Sequence, residues 1–227
     1  MRVVEVFRGE AVRLAEVLAG LTESDFARPT RCAPWTVLEL AAHVRTGAGR
    51  VVGMLAEPAP PHAEVDAAAY FGPAKFTAGT DADRIDTARE EGAGFGSGRE
   101  LAEDFAHTWR AGYDASLAAP PGRVVRTRHG DPMTLDEFLV TRVVELGVHG
   151  LDLADALDRE PWLTGPAAEL IAGLLTMAAG PAAVGLAEEL RWDRSTLIAK
   201  ATGRRPLTGP EQTEIDRRGV RWLTFGG

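Results

Sequence analysis

Glu145, His149 and Asp152 lie in the stretch VTRVVELGVHGLDLADAL, from Val140 to Leu157. A carboxylate, an imidazole and a second carboxylate follow one another at close to one helical turn, so a helix presents them on one side. Side chains of these types can share a metal ion, pass a proton, or neutralise a basic group from a neighbouring helix. Leu135, Leu139, Leu146, Leu153 and Leu157 recur at helical spacing and predict a half-buried helix, with His149 on the apolar stripe and Glu145 at its edge. A carboxylate turned toward a core is costly unless something pairs with it. A metal shared with His149 is one such partner. An Arg or Lys from another helix is the other, and this helix alone leaves both open.

Three further long helices must position that one. The first spans residues 3–18, with Val3, Val4, Phe7, Ala11, Leu14, Ala15 and Leu18 on one face and Gly20 to stop it. The second starts at Thr36, where Thr36 and Glu39 form a capping box. It carries Val37, Ala41, Val44, Ala48, Val52 and Leu55 on its core face. His43 sits beside that face, one turn after Glu39; a lone histidine there usually just finds a structural hydrogen bond. Trp35 is placed to pack as a lid over the helix start. Residues 57–79 read as a long loop with His62 exposed, and Asp81 to Glu91 as a short helix ended by glycines. The third long helix runs from Arg99 to Ala118, with His107 off its apolar face. Val124 to Gly130 reads as a short extended segment; Arg123, Arg126 and Arg128 there are a solvated edge or an anion holder. A second capping box, Thr134 with Glu137, opens the helix of Glu145 and His149.

Pro161 to Gly165 breaks the pattern. Ala167 to Leu190 reads as apolar helix interrupted at Gly180-Pro181. Ser195 to Thr202 and a segment capped at Thr208 read as short helices, and Val220 to Phe225 as a short strand or packed terminus. The chain is therefore expected to be mainly α, with residues 161–227 as a small C-terminal α or α+β subdomain.

Composition removes several functions. The chain has 227 residues, 45% of them hydrophobic, and a formal net charge of −8. An acidic balance opposes non-specific nucleic-acid binding. Its basic residues are 23 arginines and 2 lysines, Lys75 and Lys200, a bias of GC-rich coding. Cys32 is the single cysteine, so no internal disulfide can form. Early charges in MRVVEVFRGE argue against a signal peptide, and no uncharged apolar run reaches membrane length. The expectation is a soluble cytoplasmic protein without a membrane or nucleic-acid partner. Neither a Gly-x-Ser-x-Gly elbow nor a phosphate-binding loop is present.

Three stretches, taken in order, resemble the DinB-like family, and within it the mycothiol-dependent maleylpyruvate isomerase N-terminal group. They are Cys32-Ala33-Pro34-Trp35-Thr36-Val37-Leu38-Glu39-Leu40-Ala41-Ala42-His43-Val44, Gly130-Asp131-Pro132-Met133-Thr134-Leu135, and Arg142-x-x-Glu145-x-x-x-His149-x-x-Asp152-Leu153. The resemblance covers roughly residues 1–160 and implies an antiparallel four-helix bundle there. It also implies a divalent metal held by His43, Glu145 and His149. Two imidazoles and a carboxylate suit a catalytic Zn²⁺ with an open position, and Ni²⁺, Mn²⁺, Fe²⁺ or Co²⁺ accept the same donors. Glu39 and Asp152, one turn from ligands, are placed to accept a ring N–H from a metal-bound histidine. The cosubstrate implied is mycothiol, acting as a metal-activated thiolate on an electrophilic small molecule, in a thiol transferase or a cis–trans isomerase. A non-catalytic DinB-like metal-binding or stress-response protein is the alternative, and an apolar face on the bundle would equally serve a homodimer. Cys32 is a rival nucleophile, or simply a packed small side chain. The segment Lys200 to Pro206 resembles the tails of actinobacterial members, without a mechanism attached.

Overall fold

The computed structural model describes residues 1–72 and 78–223, and for residues 78–84 the backbone only. The chain begins with α1 (Val3–Ala19), α2 (Glu23–Phe26) and α3 (Val37–Ala56). A single turn, α4 (Ala67–Tyr70), interrupts the long connection before α5 (Ala78–Ala93) and α6 (Gly98–Ala118). A two-stranded antiparallel hairpin, β1 (Val124–Arg126) and β2 (Pro132–Thr134), pairs Val125 with Met133 and leads into α7 (Leu135–Leu157). Then come α8 (Gly165–Ala178), a 3₁₀ turn at Pro181–Ala183, α9 (Leu186–Glu189), α10 (Arg194–Ala201) and α11 (Gly209–Arg218). The small C-terminal part is thus α-helical among the described residues; of the expected terminal strand, Thr224 and Phe225 lie outside them. No helix among the described residues is long and apolar enough to cross a membrane.

Helices α1, α3, α6 and α7 close into a four-helix bundle, in which α1 and α3 each touch both α6 and α7. Phe7 and Leu14, Leu40 and Val51, Leu101 and Phe105, and Phe138 and Leu153 fill its centre, none more than 1% exposed. The helix starts are built as their sequences direct. Thr36 Oγ1 accepts the Glu39 N–H while Glu39 Oε2 takes the Thr36 N–H at 2.7 Å. Ser97 caps α6 through the Glu100 N–H. At α7 the expectation is only half met. Thr134 accepts from the Glu137 amide, but the Glu137 carboxylate reaches across to the Ala67 N–H at 2.8 Å instead of back to its own cap. An orphan donor at the start of α4 captures it.

The environment of α7 also departs from the half-buried helix expected. Nearly its whole circumference is buried, because α8 packs against the side away from the bundle. A Cβ at Gly147 would lie 2.6 Å from Ile171 Cδ1, so glycine is what lets the two helices approach this closely. Glu10 of α1, only 1% exposed, helps fix α8: its Oε2 accepts from Thr164 Oγ1 at 2.7 Å and from the Thr164 N–H at 3.1 Å. Burial raises the Glu10 carboxyl pKa in spite of these bonds.

Helix α10 packs on α8 and α7, and a polar knot ties it to α11. Glu211 pairs with Lys200 and accepts from the Trp192 indole N–H at 2.7 Å, while Lys200 lies over the Trp192 ring. The Lys200 ammonium and the Thr208 N–H hold the Glu211 carboxyl down to about 2. A carboxyl depressed on folding adds stability above its unfolded value of 4.5, lost as pH falls toward the folded one. Urea unfolding at pH 7, 4 and 3 checks this. Glu211→Gln is expected to lower the midpoint at pH 7 and to lose less than wild type on acidification; equal losses in both proteins would show that the knot carries no such linkage.

Candidate metal centre

The cap at Thr36 sets the start of α3 and brings His43 onto its buried side, facing α7 across the bundle. There His43 Nε2 lies 3.4 Å and His149 Nε2 3.3 Å from Glu145 Oε2. The three donor atoms are all within 4.8 Å of one another. Helix α7 supplies Glu145 and His149 one turn apart, and α3 supplies His43 from the other side. The side chains are 20%, 22% and 11% exposed for His43, Glu145 and His149, so the group is sheltered yet reachable.

Each ring is held. Trp35, 4% exposed, stacks on His43 with ring centres 5.0 Å apart and planes inclined by 29°. Its position before the cap puts it over the histidine as well as over the helix start. His149 is held through its other nitrogen: Nδ1 lies 3.0 Å from Asp152 Oδ2. An imidazole committed at Nδ1 presents Nε2 in a fixed direction, here toward Glu145 and His43.

Asp152 is fully buried and is the hub beneath the three donors. Arg204 donates to it twice, Nε to Oδ1 at 3.0 Å and Nη2 to Oδ2 at 2.9 Å, a fork that matches the carboxylate plane. Cys32 Sγ donates to Oδ2 at 3.3 Å. Arg31, 3.8 Å from Oδ1, ties the Arg204 segment down by donating to the Gly203 and Arg204 carbonyls at 3.0 and 2.7 Å.

The charges reinforce this arrangement. Burial opposes ionisation of Asp152, but His149 and Arg204 overcome it and hold the carboxyl far below the usual range. Burial likewise opposes the charge on Glu145, and the bonds from His149 and His43, with the Arg142 guanidinium nearby, keep it well below. His149 moves the other way: burial alone would lower it, but Asp152, Cys32 and Glu145 together raise it. A second cluster of ligand types, Cys32, His149 and Asp152, also converges. It is the poorer cation site, because the Arg204 guanidinium already occupies both Asp152 oxygens and would repel an ion there.

The sequence-predicted residues divide clearly. His43, Glu145, His149 and Asp152 come together. Glu39 lies elsewhere: its carboxylate is spent on Thr36 at the start of α3, with Arg89 3.6 Å away, and not on a histidine ring. His62 and His107 are exposed. Of the three arginines around β1, Arg123 binds the carbonyls of Leu55 and Glu57, and Arg126 that of Gly130. Only Arg128 reaches the site's recess.

That recess opens beside Glu145 and His43 and is lined further by Arg50, Tyr70, Arg128, His129 and Arg142. Sequence reasoning assigned no role to Arg204, Arg50 or Arg142, although Arg142 opens the third stretch of the resemblance. Arg204 carried one faint signal, its place in the Lys200 to Pro206 segment.

Residues 7–154 match the model of the mycothiol maleylpyruvate isomerase N-terminal domain. This chain belongs to that family. Curated relatives from two Mycobacterium tuberculosis strains, both described as uncharacterised, are 31% identical over 150 residues. The match covers 66% of this chain and 54% of each relative, so the chain spans about half the length of the curated relatives it matches. Among solved structures, the mycothiol-dependent maleylpyruvate isomerase aligns with a TM-score of 0.52 at 15% identity, over 77% of this chain and 68% of that one. A histidine-to-alanine mutant of that enzyme aligns with a TM-score of 0.51 at 14% identity, with the same coverage. At such identity the likeness establishes the shared fold, a DinB-like helical bundle with a small C-terminal part.

Proposed function

We propose that His43, Glu145 and His149 hold a divalent metal ion, with zinc the first choice and nickel, manganese, iron or cobalt compatible with the same donors. In this reading the protein uses mycothiol, or a similar low-molecular-weight thiol, as cosubstrate of a thiol transferase or maleylpyruvate-isomerase-like reaction. One observation carries the proposal: both Nε2 atoms converge on one Glu145 oxygen while His149 Nδ1 is occupied by Asp152. That is the donor set and ring orientation of a ligated imidazole.

A bound ion would supply a Lewis-acid centre that lowers a thiol's pKa and so favours the reactive thiolate. The protein's own groups do the rest. Asp152 and Arg204 fix the direction of His149. Trp35 fixes that of His43. The recess beside Glu145 and His43 is where a small electrophile would approach the donors. Residues 1–160 would form the metal-binding unit and residues 161–227 a smaller subdomain that delivers Arg204. The alternative, a non-catalytic metal-binding or stress-response protein, has no use for an open recess at the donors; a closed site with a fourth protein ligand would suit it better.

The test is elemental analysis of untagged wild type and His149→Ala after each is offered Zn²⁺, Ni²⁺ and Mn²⁺. Near-stoichiometric metal in wild type, lost in the variant, is expected, and assays with mycothiol and candidate electrophiles then follow. A folded wild type that takes up none of the three metals would overturn the reading.

A further inference from the structure

We propose that Arg50, Arg128 and Arg142 form an oxyanion subsite in the recess beside the three donors, which takes a carboxylate or phosphate group of the electrophilic substrate. This rests on the reading of that recess as the place where substrate enters.

Arg142 is the starting point. It is 5% exposed, on α7 one turn before Glu145. Its Nε donates to Thr141 Oγ1 at 3.1 Å and its Nη2 to Tyr70 Oη at 3.3 Å. Its guanidinium carbon stands 4.7 Å from the Phe138 ring centre and 5.7 Å from that of Tyr70. Both hydrogen-bond partners are neutral hydroxyls. Among the described residues no ion pair within 4.0 Å includes Arg142, Arg50 or Arg128. Arg142 feels the Glu145 charge without bonding to it, and a buried cation with no direct counter-ion is expensive.

Two more cations face the same space. Arg50 comes from α3, and Arg128 from the loop joining β1 to β2. Arg128 Nε donates to His129 Nε2 at 3.1 Å. Burial, and then the positive charges of Arg128 and Arg142, lower the Arg50 pKa, so the three groups feel one another. Among the described residues two carboxylates, Glu91 and Glu145, line the recess. Glu145 is engaged by both histidines, which among the described residues leaves Glu91 as the further acid against three guanidinium groups. The Arg142 guanidinium is also given room: a Cβ at position 47 would stand 2.7 Å from its Nη1, and Gly47 provides none. A recess whose described residues carry surplus positive charge, partly desolvated and lined by planar donor forks, is suited to an oxyanion. Its place beside Glu145 and His43 would orient an acidic electrophile with its reactive end toward the donors.

The experiment titrates succinate and inorganic phosphate into metal-stripped protein held in chelator, against chloride at matched ionic strength. Wild type, Arg50→Gln, Arg128→Gln and the double variant are read by calorimetry and by thermal midpoint. Saturable binding of one probe above the chloride control is expected in wild type, weakened roughly tenfold or more in the double variant as charge-assisted bonds are lost. Succinate alone would mark a carboxylate subsite, and phosphate alone a phosphate one. No saturable binding, or equal binding by wild type and the double variant, overturns the proposal. Arg128 is exposed, so Arg128→Gln keeps the test open if Arg50→Gln does not fold. Because metal is absent throughout, anion binding stands or falls separately from the metal reading.

Discussion

Asp152→Ala is expected to destabilise the protein by about 3–5 kcal/mol, the usual cost of stranding one member of a buried ion pair. Asp152 is wholly buried, and Arg204 is 5% exposed with two hydrogen bonds to it. Removing the carboxylate leaves a guanidinium beneath His149 with nothing to neutralise it. The same change frees Nδ1 of His149, and metal affinity should fall about 10–100-fold, as it does when the partner of a ligating histidine is removed. Urea unfolding measures the first effect and chelator competition the second. Arg204→Ala should be damaging alone, and the Asp152→Ala, Arg204→Ala double variant more stable than the sum of the single losses implies, because both charges then leave together. Additive losses would mean that the two side chains do not act as a pair. A cost for Asp152→Ala below about 1 kcal/mol, as for an exposed pair, would contradict its burial.

The second large effect concerns Trp35. Trp35→Ala is expected to cost about 3–5 kcal/mol, the range for emptying a buried aromatic position. The tryptophan is 4% exposed, stacks on His43, and donates from Nε1 to the Ile85 carbonyl at 3.4 Å. Its loss also releases the His43 ring, so metal affinity should drop more than in a core variant of matched stability such as Phe105→Ala. Trp35→Phe separates the two roles. It keeps a ring over His43 and gives up one hydrogen bond, at about 1 kcal/mol. Metal affinity near wild type in Trp35→Phe and well below it in Trp35→Ala would show that the stack orients the ligand. Equal affinity in Trp35→Ala and Phe105→Ala would reduce Trp35 to core packing.

What was legible beforehand follows from what short-range patterns can encode. The four long helices were readable because each repeats apolar residues at helical spacing, and α3 and α7 also announce their starts with a Thr cap. The Glu145 and His149 pair was readable because four residues make one turn, and Asp152 because three more nearly make another. His43 drew attention only through the resemblance of its surroundings, since a single histidine beside an apolar face carries no signal. Glu39 misled: the capping box that correctly marked the start of α3 points its carboxylate back at Thr36, with the other oxygen toward Arg89, and away from a histidine ring. Glu137 shows the converse, a cap partner drawn away by the Ala67 amide of a segment about 70 positions earlier. Arg204 could not be foreseen, for it meets Asp152 across 52 positions by way of a turn between α10 and α11. The three cations of the recess come from α3, a hairpin loop and α7, and only folding assembles them.

That separation has a consequence in time. Residues 32, 43, 145 and 149 leave the ribosome well before residue 204, and the loop that joins Arg31 to the Arg204 carbonyl spans 173 positions. That contact can close only after residue 204 has been made. A nascent chain that has emerged as far as α7 already holds the three donor side chains, but Asp152 then has only the more distant Arg31 guanidinium and lacks the fork of Arg204. The site therefore matures from the bundle outward, and its last component arrives with the turn that follows α10. A cell that loads metal onto this protein during synthesis would meet a looser histidine than one that loads it afterwards.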